Sequence, residues 1–361
     1  MRKALRTLDL QILLPMALLV LMGTLTLYSA GRGTSQSVLW IKQGCWNLLG
    51  FAFMAYLGVQ TPRRIFRWSL VAYVAGILLL VAVLVVGKKI GGARRWLVIA
   101  GQTFQPSELM KWITLLFVSH RLGSRSPEQW RGLELAGVVA LVVFPMLLVF
   151  KQPDLGMAIS FLPILALVPL LRGLRMKWVA LGLVAVAGLG TLAWHKGLKP
   201  YQKQRVLTFL NPEADTQGKG YQVNQSRIAI GAGGLLGQGF TSGSQTQLNF
   251  LPVKTTDFVF SVWAEERGFL GVLMALALFG ALLSRLLAVA RDALSLAESC
   301  FCAGAAGILA LHVFVNVGMV VGVLPNKGMV LPFFSAGGSS TLSYFLGLGV
   351  VMAVQRHAKV R

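Results

Sequence analysis

Apolar runs long enough to cross a bilayer recur along this 361-residue chain, at about 10–28, 38–59, 68–87, 106–120, 133–150, 155–171, 178–194, 258–290, 300–321 and 338–355. A spanning helix needs roughly 20 such residues, because no water inside the hydrocarbon can satisfy an unpaired backbone. At 55% hydrophobic and 13% charged residues, with a mean hydropathy of +0.69, too little polar surface remains to cover a soluble globule. The expected fold class is an all-α polytopic membrane protein: ten transmembrane helices in one integral membrane domain, 1–361, with a large extracytoplasmic loop at 195–256. Ser29-Ala30-Gly31 imitates a signal-peptidase site, but the run before it is longer than a signal peptide's apolar region, which predicts an uncleaved first span.

Ten spans put both termini on one side, and Lys/Arg bias says which. One side collects Arg2, Lys3 and Arg6; Arg63, Arg64 and Arg67; Arg121, Arg125 and Arg131; Arg172, Arg175 and Lys177; Arg285 and Arg291; and Arg356, Lys359 and Arg361. The short loops opposite hold only Arg32, Lys151 and Lys327, so the first set is expected in the cytoplasm. A second basic population lies in the longer outer loops, from Lys88, Lys89, Arg94 and Arg95 to Lys196–Lys254. Topology does not require it, and it suits an anionic ligand such as a phosphate-bearing lipid. The net charge of +22 comes with no nucleic-acid-binding motif, so nucleic acid is not expected as a partner. Cys45, Cys300 and Cys302 sit in or beside apolar runs and form no disulfide or zinc pattern.

Acids at membrane depth are costly, so the few present carry information. Of twelve Asp and Glu residues, Glu108, Asp154, Asp257, Glu265 and Glu266 all fall at outer ends of expected spans. Glu108 and Lys111 share a helix face at i,i+3, as a structural ion pair or as a substrate-positioning pair. Asp154, between Pro153 and Gly156, reads as an N-cap. Asp257 reads as a cap for the helix beginning at Phe258 or as a general base, with Ser261 and Glu265 on the same face. The glycine-rich stretch 231–239 is a flexible loop, a close packing surface or an anion-binding nest, and it lacks the Gly-Lys-Ser/Thr ending of a P-loop. Neither a Gly-x-Ser-x-Gly elbow nor a His-Glu-x-x-His zinc helix is present.

Several motifs taken together resemble the SEDS family (shape, elongation, division and sporulation). They are Gly92-Ala-Arg-Arg-Trp-Leu, Phe104-Gln-Pro-Ser-Glu-Leu-Met-Lys111, Gln152-Pro-Asp-Leu-Gly156 and Gln225-Ser-Arg-Ile-Ala-Ile-Gly-Ala-Gly-Gly234. Further along come Phe250-Leu-Pro…Thr256-Asp-Phe258, Ala264-Glu-Glu-Arg-Gly268 and Leu331-Pro-Phe-Phe-Ser-x-Gly-Gly-Ser-Ser340. The resemblance covers essentially the whole chain and favours the cell-elongation branch over the division branch. It implies ten spans and a peptidoglycan glycosyltransferase that polymerises lipid II at the outer face of the cytoplasmic membrane. It also implies a class B penicillin-binding protein as partner within the elongation machinery. The family's essential acid maps onto Asp257. Where the family usually has Glu and His just before its Thr-Asp, this chain has Val253 and Thr255, so no role transfers to those two.

On that resemblance, Asp257 is the expected base, and Arg95, Glu108, Lys111, Asp154, Lys254, Glu265 and Lys327 are the expected substrate-binding residues. Basic residues, or a divalent cation (Mg or Mn), would stabilise the diphosphate leaving group. The rival readings are a lipid II flippase and a non-catalytic membrane scaffold for the penicillin-binding protein.

Overall fold

The computed structural model describes residues 9–90, 93–99, 101–171 and 218–359. The helices α1 (Leu10–Gly31), α2 (Leu39–Gly58), α3 (Pro62–Arg67) and α4 (Ser69–Val86) come first. They lead into a small antiparallel sheet of β1 (Lys88–Ile90), β2 (Ala93–Ile99) and β3 (Gln102–Phe104), paired in that order. Next are α5 (Pro106–Leu122), α6 (Gly132–Lys151), α7 (Leu155–Ile159) and α8 (Leu162–Leu171). After residue 217 follow α9 (Lys219–Gly233), α10 (Ser244–Gln247), α11 (Val259–Asp292), α12 (Leu296–Val320) and α13 (Gly338–Lys359).

Every expected span within the described residues coincides with a helix, and 155–171 is broken into α7 and α8 at Ser160-Phe161. The expected span 178–194 and the 195–217 stretch lie outside the described residues. By length and apolarity α1, α4, α6, α11 and α12 can each cross a membrane. The helices α2, α5 and α13 are less apolar because they turn polar side chains inward: Gln43 and Asn47, Glu108 and Lys111, and Ser339, Ser340, Thr341 and Ser343 are buried. Large apolar side chains face outward instead, with Leu14 61%, Leu78 64% and Leu147 54% exposed. That inversion of the soluble pattern is what a lipid environment selects.

One expectation needs correction. The glycine-broken stretch 88–104 forms the three short strands, where Gly101 at φ +75° turns β2 back onto β3. The described part of the expected loop, 218–256, also carries regular structure, α9 and α10.

At one end of the bundle the ion pair Asp9–Arg285 ties the start of α1 to α11, and His357 lies 3.3 Å from Glu298 at the start of α12. At the other end the segment 324–337 dips between helices before α13 begins. Phe258, Phe260 and Trp263 on the first turns of α11 are buried there rather than facing lipid, and Trp263 and Phe260 pack edge-on against Phe334.

Candidate active site

Asp257 stands one residue before the N-cap position of α11, which Phe258 occupies with no side-chain cap hydrogen bond. The backbone at this entry is fixed by residues distant in sequence. The Asn316 Nδ2 on α12 donates to both the Asp257 carbonyl (3.1 Å) and the Met329 carbonyl (2.7 Å). Ser335 Oγ donates to the Thr256 carbonyl at 2.6 Å, and the Ala336 amide donates to the Thr255 carbonyl at 2.9 Å. The backbone ahead of α11 is thus held by the 329–336 segment. The Asp257 carboxylate faces Gly328, where a Cβ would lie 3.4 Å from Oδ2. Gly328 has φ +65°, which an L side chain adopts only at a cost.

The same segment gathers the other expected charges. Glu108 and Lys111, on the first turns of α5, form a 2.6 Å ion pair with almost no solvent access. The Lys111 Nζ also lies 3.4 Å from His312 Nε2 and 4.7 Å from the centre of the Tyr344 ring. His312 Nδ1 is 3.4 Å from the Val330 carbonyl. His312 and Asn316 are one turn apart on α12, so one helix face touches both Lys111 and the backbone of Asp257.

Asp154 caps α7 as expected, accepting the Met157 amide through Oδ1 at 3.1 Å. Its other oxygen accepts from Arg95 Nη1 and Gln105 Nε2, each at 2.9 Å. Arg95 reaches it from β2 and Gln105 from the residue before α5, so the sheet missing from the sequence reading places the arginine. A Cβ on Gly156 would sit 2.8 Å from the Lys327 carbonyl, which puts α7 against the 327–330 segment.

Asp257 therefore faces the segment that contains Lys327, Asp154 stands beside it at the start of α7, Lys111 is linked to it through His312, and Arg95 and Glu108 are held by Asp154 and Lys111. Lys254 and Glu265 belong to a separate cluster. The Glu265 carboxylate accepts the amides of Gln245 (2.6 Å) and Thr246 (3.1 Å) and the Thr246 hydroxyl (2.6 Å). It thereby satisfies the N-terminal donors of α10. Lys254 Nζ donates to the Thr246 carbonyl (2.7 Å) and Asn249 Oδ1 (2.8 Å). Burial pushes the Lys254 ammonium below the usual lysine range, and the Glu265 charge opposes that shift. These two groups shape the loop that leads to Asp257.

The glycine-rich stretch packs tightly and forms no anion nest. The long helix α11 is broken at Gly268, with φ +63° and ψ −165°. The amides of Gln238 and Gly239 donate to the carbonyls of Glu265 and Glu266 at 2.9 and 3.2 Å. In return the amides of Phe269 and Leu270 donate to Gly234 and Leu235 at 2.9 and 3.2 Å. A Cβ at Gly268 would overlap the Gly237 amide. Glu266 is held from the opposite side by the Ser29 hydroxyl of α1.

Among the described residues, no group of three or more His, Cys, Asp or Glu side chains could hold a metal ion.

A polytopic helical bundle with one acid at a helix entry, near a buried Lys–Glu pair and an Arg–Asp pair, is the architecture of an integral membrane protein that gathers charge at one end of the bundle. The chain belongs to the FtsW/RodA/SpoVE cell cycle protein family, whose sequence profile matches residues 4–360. It is 39% identical over 313 residues to the peptidoglycan glycosyltransferase MrdB of Escherichia coli K12, covering 86% of this chain and 84% of that one. Relatives named FtsW are also among the matches. A solved structure of a peptidoglycan synthase complex superposes with a TM-score of 0.84 at 37% identity, over 97% of this chain and 98% of that chain. The rod shape determining protein RodA of Thermus thermophilus superposes with a TM-score of 0.72 at 33% identity, over 97% of both chains.

Proposed function

We propose that this chain is a peptidoglycan glycosyltransferase of cell elongation, polymerising lipid II at the outer face of the cytoplasmic membrane with Asp257 as general base. The observation that carries the reading is the fixation of Asp257. Its own carbonyl is held by Asn316 and that of Thr256 by Ser335, and its carboxylate faces Gly328, two residues from the Val330 carbonyl that His312 links to Lys111. A base is effective when held within hydrogen-bond reach of the proton it removes, and this framework removes its freedom to swing away.

In the proposed step Asp257 takes the proton of a 4-hydroxyl on the acceptor sugar. That oxygen forms a bond to the donor's anomeric carbon with inversion from α to β, and the bond to undecaprenyl diphosphate breaks. The leaving diphosphate takes the electron pair. Lys111, reaching the Val330 backbone through His312, and Arg95, held on Asp154, are the cations proposed to face the diphosphate, with Lys327 in the segment between them. An activated diphosphate needs one base and one cationic clamp, so the paired carboxylates of glycoside hydrolysis are not needed. Asp154 and Glu108 hold two of these cations in place.

A Mg or Mn ion would draw most of its ligands from the substrate's phosphates, since the described residues gather no site of their own. The partner proposed is a class B penicillin-binding protein, in keeping with the synthase complex this fold resembles. Both termini are placed in the cytoplasm by the Lys/Arg bias, which turns Asp257 outward.

A flippase path needs polar residues at mid-span, and the sequence offers Lys42 and Asn47 on α2. Lys42 is exposed on α2, while Asn47 is buried and donates to Thr24 Oγ1 at 3.3 Å. They line no common path.

The test is reconstitution of Asp257→Asn with its partner and labelled lipid II. Glycan yield is expected to fall by roughly 10²–10⁴-fold, the usual worth of a positioned base. Strands of normal length and yield would remove Asp257 from the chemistry.

A further inference from the structure

The helices α2, α3, α4 and α13 part in front of α5 and leave a groove of about 380 Å³, away from Asp257. Between Pro106 and Ser119, Leu109, Ile113 and Leu116 are the only half-buried residues of α5. They lie at i, i+4 and i+7, a single stripe, and all three line the groove. The groove is therefore a deliberate gap in the packing over one stripe of an otherwise enclosed helix. Its walls are mostly apolar and aromatic, and the one charged side chain that lines it, Arg64, stands with Gln60 at the α3 corner.

That corner is strongly cationic. Arg63, Arg64 and Arg67 fall within the six residues of α3, and all are exposed. Neither α3 nor the first turn of α4 carries an acid, and no salt bridge among the described residues engages these arginines. An apolar slot running from mid-membrane to a cluster of arginines is complementary to one class of ligand, an acyl chain bearing an anionic headgroup.

We propose that this groove binds one acyl chain of an anionic phospholipid, with the headgroup phosphate held by Arg64 and flanked by Arg63 and Arg67. The leaflet, cytoplasmic, rests on the orientation proposed above, whereas the ligand chemistry does not. The headgroup corner lies toward the His120 end of α5, where Phe66 stacks on His120, whereas the apolar part of the groove runs along the helix as far as Leu109, beside the Glu108–Lys111 pair.

The test uses the purified full chain in detergent with an equimolar mixture of dioleoyl phosphatidylglycerol and dioleoyl phosphatidylcholine. Retained lipid is read by native mass spectrometry. One phosphatidylglycerol adduct is expected in excess, by about fivefold for each arginine engaged. Ala72→Phe, which fills the groove from α4, is expected to abolish that adduct. Arg64→Gln, on an exposed side chain, is expected to reduce the preference about fivefold with an unchanged melting midpoint. Equal retention of the two lipids in the unmodified chain overturns the proposal. So does a phosphatidylglycerol adduct that survives both substitutions, which would mark general surface lipid. Because no lipid II is present, failure of the glycosyltransferase reading would leave this result untouched.

Discussion

Lys111 has no exposed surface, yet it carries an ammonium whose nearest partners are Glu108, His312 and the Tyr344 ring. Removing one member of a buried pair strands the other, at a cost of roughly 3–5 kcal/mol. Glu108→Gln or Lys111→Met alone is therefore expected to lower the melting midpoint sharply. The double variant should recover most of that stability while polymerisation stays lost, as measured by thermal unfolding in detergent beside a lipid II assay. Recovery of both would make the pair purely structural.

Val253 is a second residue-scale case. It is a β-branched residue at φ +52° and is 46% exposed, so it bears backbone strain with little packing in return. Val253→Gly is expected to raise stability by about 1 kcal/mol, the strain relieved less the added chain entropy. The Glu108–Lys111 pairing was legible from its spacing, because i,i+3 residues on a helix must be neighbours. The roles of Lys254 and Glu265 were not, because their partners are backbone groups of 245–246 that display no side-chain signature. His312 escaped notice because Lys111 is 201 residues away in sequence. The available signal was the pair His312 and Asn316, spaced by one turn in an otherwise apolar run.

At the scale of elements, hydropathy located the helices because lipid imposes one length and one composition on every span. It missed the strands at 88–104, whose three to seven residues are too short to show a period. It also passed over the break at Gly268, since a single glycine leaves the apolar average unchanged. That break is obligatory. Gly268→Ala would combine a left-handed backbone cost of roughly 1–2 kcal/mol with overlap on the Gly237 amide. It is expected to cost more stability than Gly280→Ala in the same helix, where a Cβ meets nothing within 4 Å. Equal melting midpoints for the two variants would mean the crossing is dispensable.

For the whole molecule, the arrangement of charge predicts orientation. Ser126, between α5 and α6, and Ser242, after the glycine stretch, are both exposed and lie toward opposite ends of the bundle. In a chain with Cys45, Cys300 and Cys302 replaced, Ser242→Cys is expected to react with an impermeant maleimide on intact cells. Ser126→Cys is expected to react only after permeabilisation. The reverse pattern would invert the topology and put Asp257 on the wrong side for a lipid II polymerase. The fold class was readable because solvent acts on every span alike. The site was only half readable, because the segment 327–336 that gathers it is defined by which distant backbones it touches.

The locked crossing between 234–239 and the break in α11 also bears on how the chain is made. Both sides of that hydrogen-bond exchange are covered in the order of synthesis: the glycine stretch, α10 and α1 leave the ribosome before Gly268 does. When the interrupted span enters the bilayer, the partners for its exposed carbonyls and for Glu265 and Glu266 already exist. Asn316 and Ser335, which immobilise Asp257, are translated afterwards. Assembly thus proceeds from the crossing to the Asp257 corner, and the backbone around that acid is fixed only when the last third of the chain has been delivered.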